Sequence, residues 1–173
     1  MKKVRVPITV DPVRSAGKGT TYDGLVPSSN LPRLQEILFT PSEDVEVNLA
    51  FDRDEQGIVF FNGDAKVEVT LACQRCGEPM KNMPVTVKFQ YAPINQKVTA
   101  EDLPGYYDAV EINELGEVNL HEIIEDELIL GLPLVAMHAV NDCAIDRNAM
   151  KFGELPPEAE KKNPFAVLQQ LKK

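Results

Sequence analysis

The sequence predicts an α+β fold: an antiparallel β-meander core with two or three short helices and a tethered C-terminal helix. Three observations lead there. Period-2 alternation recurs in successive runs between residues 45 and 91. Two segments carry helix caps and helical periodicity. A Pro/Glu/Lys-rich stretch then separates a last amphipathic segment from everything before it. The expected organisation is a single α+β domain over 1–152, a flexible linker over 153–163 and a short amphipathic helix over 164–173. A chain of 173 residues buries roughly 70% of its unfolded surface on folding, so it needs no disulfide scaffold.

Lys3–Val10 reads as a short strand whose Pro7 removes a ladder donor, which confines it to a sheet edge. Pro12 and Gly17-Lys18-Gly19 mark turns. Ser29 or Asn30 caps a helix over about Leu31–Phe39, with Pro32 in its first turn. Val45, Val47, Leu49 and Phe51 alternate with Glu46, Asn48 and Ala50. Asp52–Gly57 turns the chain into Ile58-Val59-Phe60-Phe61, and Asn62-Gly63 reads as a two-residue hairpin turn. Ala65, Val67, Val69 and Leu71 alternate next, followed by Val85, Val87, Phe89 and Tyr91. Four strands joined by turns form a meander with one wet face.

After a loop over 92–106, Tyr107–Ile112 forms a further strand. Asn119-Leu120-His121-Glu122 has the form of a capping box and opens a helix to about Gly131. Leu120, Ile123, Ile124 and Leu128 take its buried face. His121, Glu122, Glu125 and Asp126 point outward, His121 and Glu125 as an exposed i,i+4 pair. The last helix, capped by Asn163-Pro164, presents Phe165, Leu168 and Leu171. Two turns do not persist alone in water. That helix docks on its own domain or lies in a partner's groove.

The formal net charge is −9, with 18 basic and 27 acidic residues. Such a balance argues against indiscriminate coating of nucleic acid, which rests on neutralising phosphates. The charges are segregated, however. Residues 1–40 and 65–97 are each locally basic, whereas residues 101–127 hold ten acidic groups and no Lys or Arg. Arg75 and Lys81 at the hairpin, with Lys66 and Lys88 on the wet sheet face, make the best candidate RNA-binding patch, and Arg14 and Lys18 extend it. Glu122, Glu125 and Asp126 make the acidic candidate surface for a basic protein, alongside Phe165, Leu168 and Leu171 for a groove-lined partner.

Cys73-Gln74-Arg75-Cys76-Gly77 at a hairpin tip is half of a zinc knuckle. His138 and Cys143 are the best further ligands and would complete a Cys3His set. A redox pair and an unligated reduced hairpin are the competing readings. No cofactor is certain, and a structural zinc is the one these residues suggest. Three cysteines, and no apolar run behind the basic start, indicate a reducing, cytoplasmic setting. No apolar run approaches the roughly 18 residues of a membrane span. Catalysis is not expected. Phosphate-loop, dinucleotide and nucleophile-elbow motifs are lacking, and the His121-Glu122-x-x-Glu125 run has Glu where a metalloprotease helix needs its second His.

The start Pro7-x-Thr9-Val10-Asp11-Pro12-Val13-Arg14, the run from Asn62 to Lys66 leading to Cys73-Gln74-Arg75-Cys76, and the ending from Phe152 through Asn163-Pro164-Phe165 resemble the YceD family. Members are described as large ribosomal RNA subunit accumulation proteins. The resemblance spans essentially the whole chain. It implies a non-enzymatic ribosome-assembly factor that supports accumulation, processing or maturation of large-subunit ribosomal RNA. The expected partner is precursor RNA or a pre-ribosomal particle; the alternative is an adapter for a basic large-subunit ribosomal protein. Related branches carry a longer cysteine set downstream of the C-x-x-C, where this chain has Cys143 alone.

Overall fold

A computed structural model describes residues 4–95, 98–145 and Gly153. Apart from Gly153, the expected linker and terminal helix, with Phe165, Leu168 and Leu171, lie outside the described residues. The strands are β1 (Val4–Arg5), β2 (Thr9–Val10), β3 (Thr21–Val26), β4 (Val45–Arg53), β5 (Val59–Ala72), β6 (Pro79–Ile94), β7 (Asp108–Glu111) and β8 (Val118–Asn119). The helices are α1 (Pro12–Ala16), α2 (Pro32–Ile37) and α3 (Leu120–Leu130). The main sheet runs β1-β3-β4-β5-β6-β7, while β2 and β8 pair separately.

The antiparallel meander is β3-β4-β5-β6, and both edge strands join it in parallel. Pro7 explains the first edge. It breaks the expected Lys3–Val10 strand into β1, which pairs with β3, and β2, which pairs with β8 at the foot of α3.

Alternation in the sequence is read out as burial. Val45, Val47, Leu49 and Phe51 of β4 are buried, as are Phe61, Ala65, Val67, Val69 and Leu71 of β5. Across this inner face runs an aromatic row: Phe51 stacks on Phe61 at 5.2 Å and Phe61 on Tyr91 at 5.7 Å, with Tyr22 edge-on to Phe51. α1 lies against β4 and β5, and α3 against β6. Leu34 of α2 and Leu120, Ile124 and Leu128 of α3 complete the core.

The Asn62-Gly63 hairpin is a misreading. Both residues lie within β5, with Asn62 opposite Ala50 and Gln90, and Gly63 opposite Leu49 and Phe89. The turn into β5 is the one expected at Asp52–Gly57: the Asp54 carboxylate accepts from the Gln56 and Ile58 N–H groups and Gly57 takes φ +85°. Gly63 is needed for space, since a Cβ there would sit 2.3 Å from the Asn48 carbonyl oxygen and 2.8 Å from Leu49 Cδ2. A short loop signal and a crowded mid-strand position select the same residue for different reasons.

The Gly63→Ala variant is expected to lose about 1–3 kcal/mol through overpacking, whereas Asn62→Ala, on the exposed face, should stay near wild type. Urea unfolding checks both; equal midpoints for the two variants would contradict the crowding.

Candidate metal centre and charged surfaces

The β5–β6 hairpin ends in a tight turn at Cys73–Glu78. Cys73 N–H donates to the Glu78 carbonyl at 2.9 Å, and Gly77 N–H to the Cys73 carbonyl at 2.8 Å. Gly77 has φ +78°, a left-handed conformation that favours glycine at this place in the loop. Across from the turn lies the irregular segment that follows α3. Gln74 fastens it twice, through its N–H to the Ala136 carbonyl at 2.8 Å and through its side-chain amide to the Leu134 carbonyl at 3.3 Å. Those bonds bring His138 and Cys143 to the hairpin tip.

One potential ligand atom from each of Cys73, Cys76, His138 and Cys143 lies within 4.8 Å of the other three. Cys76 Sγ is 3.5 Å from His138 Nδ1, and the His138 N–H donates to Cys73 Sγ at 3.4 Å. Burial opposes ionisation of Cys73, but the N–H groups of His138, Cys76 and Arg75 and the Cys76 thiol outweigh it and bring its pKa down to about 5. The bond to Cys76 raises the His138 pKa against the pull of burial, and Cys73 adds to the rise. Three soft sulfur donors and an imidazole around one point could hold a metal such as zinc. The C-x-x-C half was legible from sequence; the irregular His138–Cys143 half takes its place through the Gln74 clamps.

Arg75, expected in the RNA patch, is turned inward. Its Nη2 donates to the His138 carbonyl at 3.0 Å, while Nη1 is buried and makes no hydrogen bond within the described protein. The remaining basic residues do not form one surface. Lys66 and Lys88 stand on the outer sheet face among acids: Lys66 lies opposite Glu46 and 3.4 Å from Asp64, and Lys88 lies opposite Asp64. Arg14 and Lys18 are exposed on the helix side, where α1 covers the inner face. Lys81 is exposed near the hairpin tip.

The acidic candidates also divide. Glu122 is exposed and Asp126 half-exposed, but Glu125 and His121, expected to point outward, are buried. They are not paired with each other. His121 Nε2 lies 3.1 Å from the Val6 carbonyl oxygen and its Nδ1 3.4 Å from Asn30 Nδ2. Glu125 accepts from Arg33 Nε at 2.8 Å and from the Leu34 N–H at 3.1 Å, while Asp126 takes the other arm of Arg33 at 2.6 Å. That second contact explains why the expected Ser29 or Asn30 cap is missing. The residue before α2 is Leu31, which makes no side-chain cap bond, and a carboxylate from α3 satisfies the helix start instead. Asn119 does cap α3, accepting from the Glu122 N–H at 3.2 Å.

A protein of this kind, an α+β domain with a Cys3His cluster clasping a long hairpin, has known relatives by sequence. The family model described as "Large ribosomal RNA subunit accumulation protein YceD" matches residues 61–172. A protein of Haemophilus influenzae bearing the same description is 43% identical over 173 residues, covering 99% of each chain. This chain belongs to the YceD family. No solved structure matches it at a significant level. Among the described residues, no helix is long and apolar enough to cross a membrane.

Replacing Glu125 by Ala removes a charged acceptor from two donors and is expected to cost about 2–3 kcal/mol. Glu122→Ala on the exposed side should cost under about 1 kcal/mol. Chemical denaturation distinguishes the two, and an E125A variant as stable as wild type would show that α2 does not depend on this carboxylate.

Proposed function

We propose that this protein is a non-enzymatic assembly factor that supports accumulation and maturation of large-subunit ribosomal RNA by engaging precursor RNA or pre-ribosomal particles in the cytoplasm. Family membership supports the reading: the relative from Haemophilus influenzae is similar over nearly its full length and is described as a large ribosomal RNA subunit accumulation protein. Lys81 near the hairpin tip and Arg14 and Lys18 beside α1 are the basic side chains best placed for phosphate. Lys66 and Lys88, flanked by Asp64 and Glu46, attract it less. Ultraviolet crosslinking in growing cells, with sequencing of the recovered RNA, tests direct contact. Localised crosslinks on large-subunit precursor RNA are expected. Reversing Lys81 and Lys18 to Glu should reduce them and lower the salt slope of binding by about one per lost phosphate contact. Background-level RNA with the wild-type protein would sink the reading.

A second reading is an adapter for a basic large-subunit ribosomal protein. One observation favours it. No Lys or Arg occurs between residues 98 and 146, and within that span Leu130, Leu134, Val135, Met137 and Val140 are exposed beyond the acidic face of α3. A face that is both acidic and apolar suits a basic, partly apolar polypeptide. Under this reading Glu122→Gln and Leu134→Ser abolish particle association, whereas Lys81→Glu leaves it intact.

The Cys3His cluster is proposed to hold one structural zinc ion. All four donors come from protein side chains, which suits a closed structural site. The ion's chemistry there is to bind the Cys73, Cys76 and Cys143 thiolates and the His138 imidazole, fixing the hairpin tip to the segment after α3. Purified protein should carry about one Zn2+ per chain. Adding the ion at a hundredfold excess over Kd should stabilise metal-free protein by about 2.7 kcal/mol. Cys143→Ser should lose most of that gain; retention of the full gain would remove Cys143 from the site.

A further inference from the structure

We propose that Arg75 is a positioning residue of the Cys3His centre, supplying the positive charge that balances it, and is not a contact for RNA. The inference rests on the metal reading above. A divalent ion with three thiolates and a neutral imidazole leaves one negative charge uncompensated in a partly buried setting, where an unpaired charge is costly. Arg75 lies between the two cysteines of the C-x-x-C turn, and its side chain reaches across to the ligand residue His138. Its Nη2 bonds the carbonyl of the ligand residue His138 at 3.0 Å.

The decisive observation is Nη1, which is shielded from solvent and makes no hydrogen bond within the described protein. A guanidinium is always charged and has only donors, so a buried arm requires an acceptor. Metal-bound thiolate sulfurs are acceptors of the right sign in the same loop. A side chain built to meet phosphate would leave its head in water, as Lys81 does. Arg75 instead commits one arm to the carbonyl of His138 and keeps the other shielded from water beside that ligand residue, without an acceptor of its own among the described residues. That is how an outer-shell partner fixes ligand geometry and tempers thiolate reactivity.

The test compares full-length wild type, Arg75→Met and Arg75→Lys. Zn2+ affinity is measured by competition with a chromophoric chelator, and Co2+ substitution reports the sulfur-to-metal charge-transfer bands. Arg75→Met keeps much of the apolar stem and loses charge and donors. It is expected to weaken Zn2+ binding about 10–100-fold, move the Co2+ bands to lower energy and speed alkylation of the Zn2+-loaded thiolates by iodoacetamide. Arg75→Lys restores the charge and should recover most of the affinity. Unchanged affinity and spectrum in Arg75→Met would overturn the proposal. So would an Arg75→Lys variant as weak as Arg75→Met, since packing alone would then explain the loss. Wild-type protein that takes up no Zn2+ would bring down the metal reading itself, an outcome distinct from loaded wild type with an indifferent Arg75→Met.

Discussion

The pairing of β5 with β6 runs from Phe61 opposite Tyr91 out to Ala72 opposite Pro79, and the rest of the molecule is arranged around that length. β4 accompanies β5 only between Val59 and Lys66, and β7 accompanies β6 only from Tyr91 to Ile94. Beyond Lys66 the hairpin is a two-stranded ribbon, bridged at Thr70 by Thr40. Two strands alone are marginally stable in water, so the distal ribbon depends on what covers it. Gly131, just past α3, supplies one contact, packed so closely that a Cβ would lie 3.3 Å from Cγ1 of Val85, which pairs with Val67. The segment after it supplies the other, through the Gln74 bonds and the Cys3His cluster. A bulge between Val69 and Leu71, with Asn82 at φ 55° nearby, bends the ribbon just before that fastening.

Charge is distributed by the same geometry. The outer sheet face repeats acids and amides against isolated lysines, with Asp23, Asn48, Asp64 and Lys88 forming one continuous cross-strand row. Cross-strand neighbours of opposite sign screen one another, so this face has little net attraction for phosphate despite its lysines. Among the described residues, exposed cations outside that row include Lys81 near the hairpin's far end, Arg14 and Lys18 at α1, Arg5 on β1 and Arg53 at the β4–β5 turn. The cation-free span from 98 to 146 instead surrounds α3 and the segment that reaches the cysteines. The net charge of −9 is therefore an uneven sum, and the stretch that carries His138 and Cys143 is the acidic one.

Strand alternation and the α3 cap were legible in the sequence because each is a local signal that burial later agrees with: Val45 to Phe51 alternate and are buried in alternation, and Asn119 caps the helix it precedes. The Cys3His set was legible by residue type, though not by spacing. Three features were hidden because their causes are distant in sequence. Asn62-Gly63 looks like a turn until Asn48 and Leu49 are placed over Gly63. Glu125 looks like a solvated helix residue until Arg33 and Leu34 approach it from more than ninety positions away. Arg75 looks like a surface cation until His138 is brought beside it.

Glu125 and the cysteine cluster act at opposite ends of one stretch of chain. Glu125 and His121 bind the first half of α3 to α2 and to the Val6 carbonyl. Thirteen residues beyond Glu125, His138 is held at the hairpin tip. Between these fixed points the exposed side chains of Leu130, Leu134 and Val135 are carried on backbone secured at both ends, while Ala136 alone of that short run is buried. Fixing the ends lowers the number of conformations the intervening backbone explores and so the entropy lost when its apolar side chains meet another surface. The cluster of Cys73, Cys76, His138 and Cys143 thus lies at one end of this apolar segment as well as at the hairpin tip. Opening it would release the distal ribbon and the apolar segment together, because the same bonds hold both.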